Sequence, residues 1–435
     1  MRTKKRLTYV GAAVALLLVV AACGDDSGSS SAGGATTAGG ATTVASTSAS
    51  PTSATTSGSA AATGKKADPS LPHFKIGILN ANTGVGSSYP GVEAGAKTAA
   101  AYINNELGGL GGHQIDIATC TMGADEASNT ACGQQYANDS GVRVVSGGYL
   151  FGAGGAFNAL AAAKKSVLVG EPVTPPDFTS PNVWAYRGGI PGVLNGVALY
   201  AASFKPKTVA IINSDNAGGQ QAAKIMQAPL EAMGINVKLV FVKDNETDLT
   251  GPILAAGADK ADVFIASVAT TACIQAAKAV KDLSLTAPVV TTSQCIDKSV
   301  QEAVLPQMEG WYFVQDYQPN EPIDTTKPAV LAYRDAWAKY GNGPIGQNGA
   351  QFSFNNIMIL EGLLNPLGYD GATADAIAKT LPAFTGPVFG GTDKVACPGP
   401  APFTQICSRD YVVQQIKGGK FTLVNDGKFF PGPTS

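Results

Sequence analysis

Six cysteines are the residues whose chemistry the sequence indicates most directly, because their spacing suits disulfide bonds. They occur as three local pairs, Cys120 with Cys132, Cys273 with Cys295, and Cys397 with Cys407. The chain has seven cysteines, and once Cys23 at the end of the predicted export signal is set aside, the remaining six are an even number that favours disulfides, although six cysteines allow 15 connectivities. We predict one disulfide within each local pair. The chain has no Cys-x-x-Cys motif and only two histidines, so neither a metal nor any other cofactor is expected.

Hydroxyl, amide and aromatic side chains in the loops after predicted strands are the other candidates. Open α/β sheets bind ligands beyond the carboxyl ends of their strands, so these loops predict a ligand site. Core packing explains Tyr149 and Phe151 equally well, while Thr270 also suits helix capping and Asn216 a turn. The candidate ligand-binding residues are Tyr89, Tyr149, Phe151, Gly152, Thr174, Asn216, Thr270, Gln294 and Phe354.

No residue is predicted to be catalytic. Neither histidine lies near a nucleophile motif, and the chain after the tether described below has no Gly-x-Ser-x-Gly or His-Glu-x-x-His sequence. We therefore expect a binding protein rather than an enzyme.

The N-terminus has the pattern of an export signal. Basic residues open the chain, and a short apolar run ends at Val20-Ala21-Ala22-Cys23. That run is shorter than the ~20 residues needed to span a bilayer, and its end resembles a bacterial lipobox. The sequence predicts a signal peptide over residues 1–22 and a lipidated Cys23, with a plain secretory cleavage site as the alternative. Residues 23–72 are rich in Ser, Thr, Gly and Ala and predict a disordered tether.

Composition and patterning indicate a large α/β protein. Of the 435 residues, 45% are hydrophobic, and the net charge of −2 gives no electrostatic case for nucleic acid binding. Short apolar strands alternate with helices twice, before and after about Gly192, which predicts parallel sheets covered on both faces. A hairpin is predicted at the end, around Gly418-Gly419.

The first strand, loop and helix show a family resemblance. Asn82-Thr83-Gly84, then Tyr89, then an Ala-rich helix ending in Ile103-Asn104 resemble the opening of type I periplasmic solute-binding proteins. The pattern is most similar to the leucine/isoleucine/valine-binding proteins of branched-chain amino acid ABC transporters. The resemblance implies two Rossmann-like lobes joined by a three-strand hinge. Lobe 1 is expected over residues 73–190 and 322–386, and lobe 2 over 191–321 and 387–435.

The family's ligand residues match this sequence only in part. Tyr89 matches a loop tyrosine, and Thr174 matches a threonine that holds the ligand carboxylate. A carboxylate-binding serine is replaced at Gly152 or Ala153, and the acid that pairs with an α-ammonium falls on Ser293. Because a buried ammonium without a partner is costly, we expect a neutral or anionic, partly apolar ligand rather than an ordinary α-amino acid.

The resemblance implies a lipid-anchored, extracytoplasmic binding protein that delivers a small molecule to an ABC permease. We expect a monomer on the cell membrane that closes its hinge over the ligand. A ligand-sensing receptor component with the same fold is the second interpretation, and an extracytoplasmic hydrolase is the third.

Overall fold

Two sheets built mainly from parallel strands organise the residues that the computed structural model describes, 61–83 and 88–433. These residues all belong to one unit that spans 53–435. The predicted signal peptide, Cys23 and the tether up to residue 60 lie outside the described residues.

The first sheet has five parallel strands in the order β2-β1-β3-β4-β5. Strands β3 and β4 are almost entirely buried, as expected for apolar runs in a parallel sheet with both faces covered. In chain order the elements are β1 (Phe74–Leu79), α1 (Pro90–Glu106), β2 (Ile115–Thr119), α2 (Glu126–Asn138), β3 (Val142–Gly147), α3 (Gly154–Ala162), β4 (Ser166–Val169), α4 (Pro175–Thr179) and β5 (Val183–Trp184).

The next part of the chain forms most of a second sheet. Its elements are α5 (Gly189–Ser203), β6 (Thr208–Ser214), α6 (Ala217–Ala232), β7 (Asn236–Val242), α7 (Thr250–Ala255), β8 (Val263–Ser267), α8 (Thr270–Asp282), β9 (Val289–Thr292), α9 (Lys298–Val304) and β10 (Tyr312–Gln315). The chain continues with α10 (Pro328–Tyr340), α11 (Ala350–Leu364), α12 (Gly368–Gly371), α13 (Ala374–Ala383), β11 (Val412–Lys417) and β12 (Lys420–Leu423).

The second sheet has seven strands in the order β12-β11-β10-β9-β8-β6-β7. Its last two strands come from the C-terminal part of the chain, and β11 pairs antiparallel with both β10 and β12. The predicted α/β fold with two lobes is confirmed, and so is the hairpin around Gly418-Gly419.

The chain passes between the two sheets three times. Helices α10, α11 and α13 follow β10 of the second sheet in sequence, but their residues Tyr333, Phe354 and Ile377 share a buried core with Phe74 of β1. The passages are residues 185–188, 316–327 and 384–411. Three passages between two sheets are the arrangement that a hinge between the lobes requires. The residue limits of each lobe stay predictions.

The end of the predicted tether needs a correction. The sequence predicts disorder up to residue 72, but the backbone N–H of Thr63 donates to Glu106 and that of Ala67 donates to Asn104. Ala67 is buried. Residues 63–68 are ordered because the last turn of α1 and the loop after it supply carbonyl partners for their backbone N–H groups, including Gly112 for Asp68.

Candidate functional site

Three of the predicted ligand-binding residues meet at the carboxyl ends of β1 and β3. The Tyr89 and Tyr149 ring centroids are 4.2 Å apart, and those of Tyr89 and Phe151 are 6.2 Å apart. All three side chains are partly or fully accessible to solvent. Their loops lie side by side because parallel strands end at the same edge of the sheet.

Asn80, directly after β1, holds these loops together. Its Oδ1 accepts a hydrogen bond from the Tyr149 backbone N–H at 3.1 Å, and its Nδ2 donates to the Tyr89 carbonyl at 3.0 Å. Asn80 is 2% exposed, so its amide is fixed in place. The sequence analysis missed this residue, although an asparagine directly after a buried strand is a usable signal.

Helix α11 completes the group of rings through Phe352. The Phe352 and Tyr149 centroids are 5.2 Å apart with an edge-to-face orientation, and the Tyr149 hydroxyl donates to Asn348 Oδ1 at 2.8 Å. We call Tyr89, Tyr149, Phe151 and Phe352 the aromatic cluster. Such rings offer flat apolar faces to a small solute.

Phe354, the predicted aromatic contact on α11, lies elsewhere. It is 0% exposed and packs against Tyr102, Tyr333 and Phe389 in the core. Residues two apart on a helix face nearly opposite directions, so Phe352 points to the strand ends while Phe354 points inward. Phe354 therefore has no part in the site proposed below.

Close packing of α1 and α11 sets the position of Phe352. A Cβ atom at Gly95 would lie 2.1 Å from the carbonyl oxygen of Ala350, and one at Gly91 would lie 2.3 Å from that of Asn348. Only glycine permits this approach of one helix to the backbone of another. The two glycines of α1 thus bring the first turn of α11 against the Tyr149 loop.

A buried ion triad adjoins the aromatic cluster. Arg187 Nη2 donates to Glu171 Oε2 at 3.1 Å and also to Asp316 Oδ1. Asp316 follows β10 of the second lobe and accepts the Gly189 N–H at 2.7 Å. The guanidinium carbon of Arg187 lies 4.5 Å from the Tyr317 ring centroid and 5.3 Å from that of Phe352. The triad therefore links both lobes to the aromatic cluster.

Burial dominates the electrostatics of this region. Burial, with Asp316 adding to it and Arg187 opposing it, raises the pKa of Glu171 to about 8. The shift favours the neutral form of Glu171 and so reduces the negative charge beside Arg187. Burial also raises the pKa of Tyr149 well above its usual range, with Glu171 adding to the shift and Arg187 opposing it.

Thr174 and Gly152 lie in neighbouring loops of the first lobe. Thr174 precedes α4, and its hydroxyl donates to Asp177 Oδ2 at 3.3 Å. The same carboxylate oxygen accepts the backbone N–H groups of Val173 and Thr174 at 2.8 Å. Gly152 has φ of 76°, a left-handed conformation that favours glycine. Ligand contact by either residue stays a prediction.

The three predicted residues of the second lobe also follow parallel strands. Asn216 caps α6 by accepting the Gly219 N–H at 2.8 Å, and its Nδ2 donates to Asp244 at 3.0 Å. Thr270 is the first residue of α8, and Gln294 lies in an exposed turn after β9. Asn216, Thr270 and Gln294 all lie at the carboxyl edge of the second sheet. We call this edge the polar edge, because polar side chains line it, whereas aromatic side chains line the carboxyl edge of the first sheet.

All three predicted disulfides are present, Cys120–Cys132, Cys273–Cys295 and Cys397–Cys407. The second joins α8 to the turn after β9 and so connects the segments that carry Thr270 and Gln294. It holds two loops of the polar edge at a fixed spacing.

An open cleft of about 510 Å³ lies apart from these residues. It is lined by the second and third passages between the lobes together with residues near the C-terminus, including Gln318, Phe389 and Asp410. None of the predicted ligand-binding residues lines it. We place the candidate site at the aromatic cluster instead, because the strand ends and the buried charges converge there.

Within 61–83 and 88–433, no three or more His, Cys, Asp or Glu side chains are grouped so that they could hold a metal ion. The helices in the same part of the chain are too short or too polar to cross a membrane.

The fold and the site geometry define a class of two-lobed α/β binding proteins. The family model described as "Periplasmic binding protein" matches residues 73–420, and the chain belongs to this family. No curated protein matches the sequence at a significant level.

Solved structures with the same fold are distant in sequence. A solute-binding protein of an ABC transporter from Rhodopseudomonas palustris HaA2, in complex with p-hydroxybenzoic acid, has a TM-score of 0.65 at 16% identity, covering 83% of this chain and 98% of that chain. LivJ from Streptococcus pneumoniae, in complex with isoleucine, has a TM-score of 0.63 at 16% identity and covers 83% and 100%. A fatty acid ABC transporter substrate-binding protein from Thermomonospora curvata has a TM-score of 0.63 at 14% identity and covers 85% and 96%.

Proposed function

We propose that this protein is the solute-binding component of an ABC importer, anchored outside the cytoplasmic membrane by a lipid on Cys23. It binds one small organic molecule between the lobes and delivers it to the permease, without changing it chemically. The proposal combines the family membership with the export signal and lipobox-like sequence.

The aromatic cluster is the observation that supports a solute site most strongly. Four rings from two loops and one helix meet at the carboxyl ends of the first sheet. Tyr89, Tyr149 and Phe151 stay partly exposed where they meet, whereas Phe352 is buried and joins them to the core of the first lobe. A flat, partly apolar solute fits between such rings, and the polar edge of the second sheet can close over it.

Similar folds bind chemically different solutes, namely p-hydroxybenzoic acid and isoleucine in the two complexes above. This chain has Ser293 and Gln294 where the resemblance expects the acid that pairs with an α-ammonium. The sequence and the cluster together favour a partly apolar organic solute over a branched-chain amino acid.

Mass spectrometry of small molecules released from the exported protein, purified without refolding, tests the proposed function. We expect one co-purified solute at up to one molecule per chain, and its re-addition should raise the melting temperature. A protein that releases no solute, and that no compound in a broad metabolite panel stabilises, would contradict a transport role. Turnover of the bound solute would instead support the hydrolase interpretation.

The anchor has its own test. Cys23→Ala should release the protein from the membrane fraction into the soluble extracytoplasmic fraction, because the thiol that receives the lipid is lost. Ser31→Ala, a similarly small change in the predicted tether, is the matched control because it leaves Cys23 in place. Equal membrane retention of wild type and Cys23→Ala would contradict lipid anchoring.

A further inference from the structure

Arg187 has hydrogen-bond donors that the protein itself does not use. The residue is 4% exposed, and Nη2 serves both Glu171 and Asp316. Its Nε and Nη1 atoms are buried and lack a hydrogen-bond partner. A charged donor left unpaired in a protein interior is destabilising, so these two atoms are suited to an acceptor from outside the chain.

The position of Arg187 connects these donors with the aromatic cluster. Its guanidinium lies over Phe352, which contacts Tyr149 edge to face. The electrostatic effect of Arg187 also reaches the Tyr149 hydroxyl, where it opposes the rise in pKa. A molecule held among the rings would therefore lie within reach of a buried positive charge.

The charge balance of the triad permits an anionic group to approach. Asp316 is held by Arg187 and by the Gly189 N–H, and burial raises the pKa of Glu171, with Asp316 adding to the shift. The neutral form of Glu171 that this favours leaves less negative charge beside the guanidinium to repel an incoming carboxylate. Burial strengthens its attraction to the guanidinium, since little water remains to screen the charges.

We propose that Arg187 binds an acid group of the transported solute through Nε or Nη1, and that the solute is an organic anion with a flat apolar body. This inference rests on the proposed function and specifies the ligand class of the same site. The acid group accepts a charge-assisted hydrogen bond from Arg187, while the body lies against the aromatic cluster.

Arg409 provides a matched control within the same chain. It is 6% exposed, and its Nε and Nη2 atoms are also buried without a hydrogen-bond partner. Its guanidinium lies 5.9 Å from the Phe403 ring, which packs against Phe178 and belongs to a different group of side chains. Replacing either arginine with lysine keeps the charge but loses the planar guanidinium and its donors.

The experiment measures binding of benzoate and 4-hydroxybenzoate, each beside its neutral amide, by titration calorimetry at pH 7. At least one acid should bind wild type ten times more tightly than its amide or better, as one charge-assisted hydrogen bond implies. Arg187→Lys should reduce the affinity for that acid about tenfold or more, whereas Arg409→Lys should leave it unchanged.

The outcomes separate this proposal from the proposed function. If an acid and its amide bind wild type equally, or if only leucine or a cationic solute binds, the role of Arg187 is overturned while the transport function stands. If no compound binds and no solute co-purifies, both fail. Comparing acid with amide on wild type needs no variant, so the test holds even if Arg187→Lys does not fold.

Discussion

Replacing Gly95 with alanine tests whether the close approach of α1 and α11 positions the aromatic cluster. The added Cβ would lie 2.1 Å from the Ala350 carbonyl oxygen and 3.0 Å from its Cα atom. Since non-bonded atoms normally stay about 3.5 Å apart, the first turn of α11 must move by roughly 1.5 Å. Phe352 and Asn348, which contact Tyr149, would move with it.

Two opposing effects set the size of the change. Alanine is favoured over glycine inside a helix by about 0.5–1 kcal/mol, while forcing extra volume into a packed interface costs about 1–3 kcal/mol. We therefore expect Gly95→Ala to lower the free energy of unfolding by up to about 2 kcal/mol. Gly251 in α7 has no atom within 4 Å of an added Cβ, so Gly251→Ala is the matched control with no packing cost.

Urea unfolding followed by circular dichroism measures the stability of both variants. Near-ultraviolet circular dichroism of the native proteins reports the packing of the tyrosine rings, Tyr89 and Tyr149 among them, without needing a ligand. Gly95→Ala should be less stable than Gly251→Ala and should show a weaker tyrosine signal than wild type. If the two variants are equally stable and the tyrosine signal is unchanged, then the helix contact does not position the cluster.

Three further results are expected. Phe352→Leu should weaken binding of the tightest acid in the panel about tenfold by removing a ring face. Phe354→Ala should instead lower the free energy of unfolding by about 3–5 kcal/mol. Equal effects of the two substitutions on binding would contradict the assigned site. Glu361 is buried, which raises its pKa to about 7 from 4.5, so it holds a proton in the folded state that the unfolded state loses. Wild type should lose roughly 3 kcal/mol of stability relative to Glu361→Gln as pH rises from 4.5 to 7. If urea unfolding shows that the free energies of unfolding of the two proteins change equally with pH, this prediction is refuted. Replacing Cys273 and Cys295 together with serine should cost about 3 kcal/mol, since the disulfide closes a loop of 22 residues; an unchanged urea midpoint would argue against it.

Much of the fold could be predicted because its signals are local. Apolar runs such as Val142–Gly147 predict buried parallel strands whatever surrounds them. The disulfide pairing followed from short separations, the largest being 22 residues. Tyr89, Tyr149 and Phe151 could be chosen because side chains that follow parallel strands converge at one edge of the sheet.

Two features of the site could be found only from the tertiary structure: the buried ion triad, and which phenylalanine of α11 faces the aromatic cluster. Arg187 and Asp316 are 129 residues apart, and they meet only because the passages between lobes bring the ends of β5 and β10 together. Phe352 and Phe354 carry the same side chain two positions apart, so only the rotation of α11 against α1 decides which ring faces the site. Local patterns determine which segments become strands and helices, whereas long-range packing determines which of their side chains share one buried space.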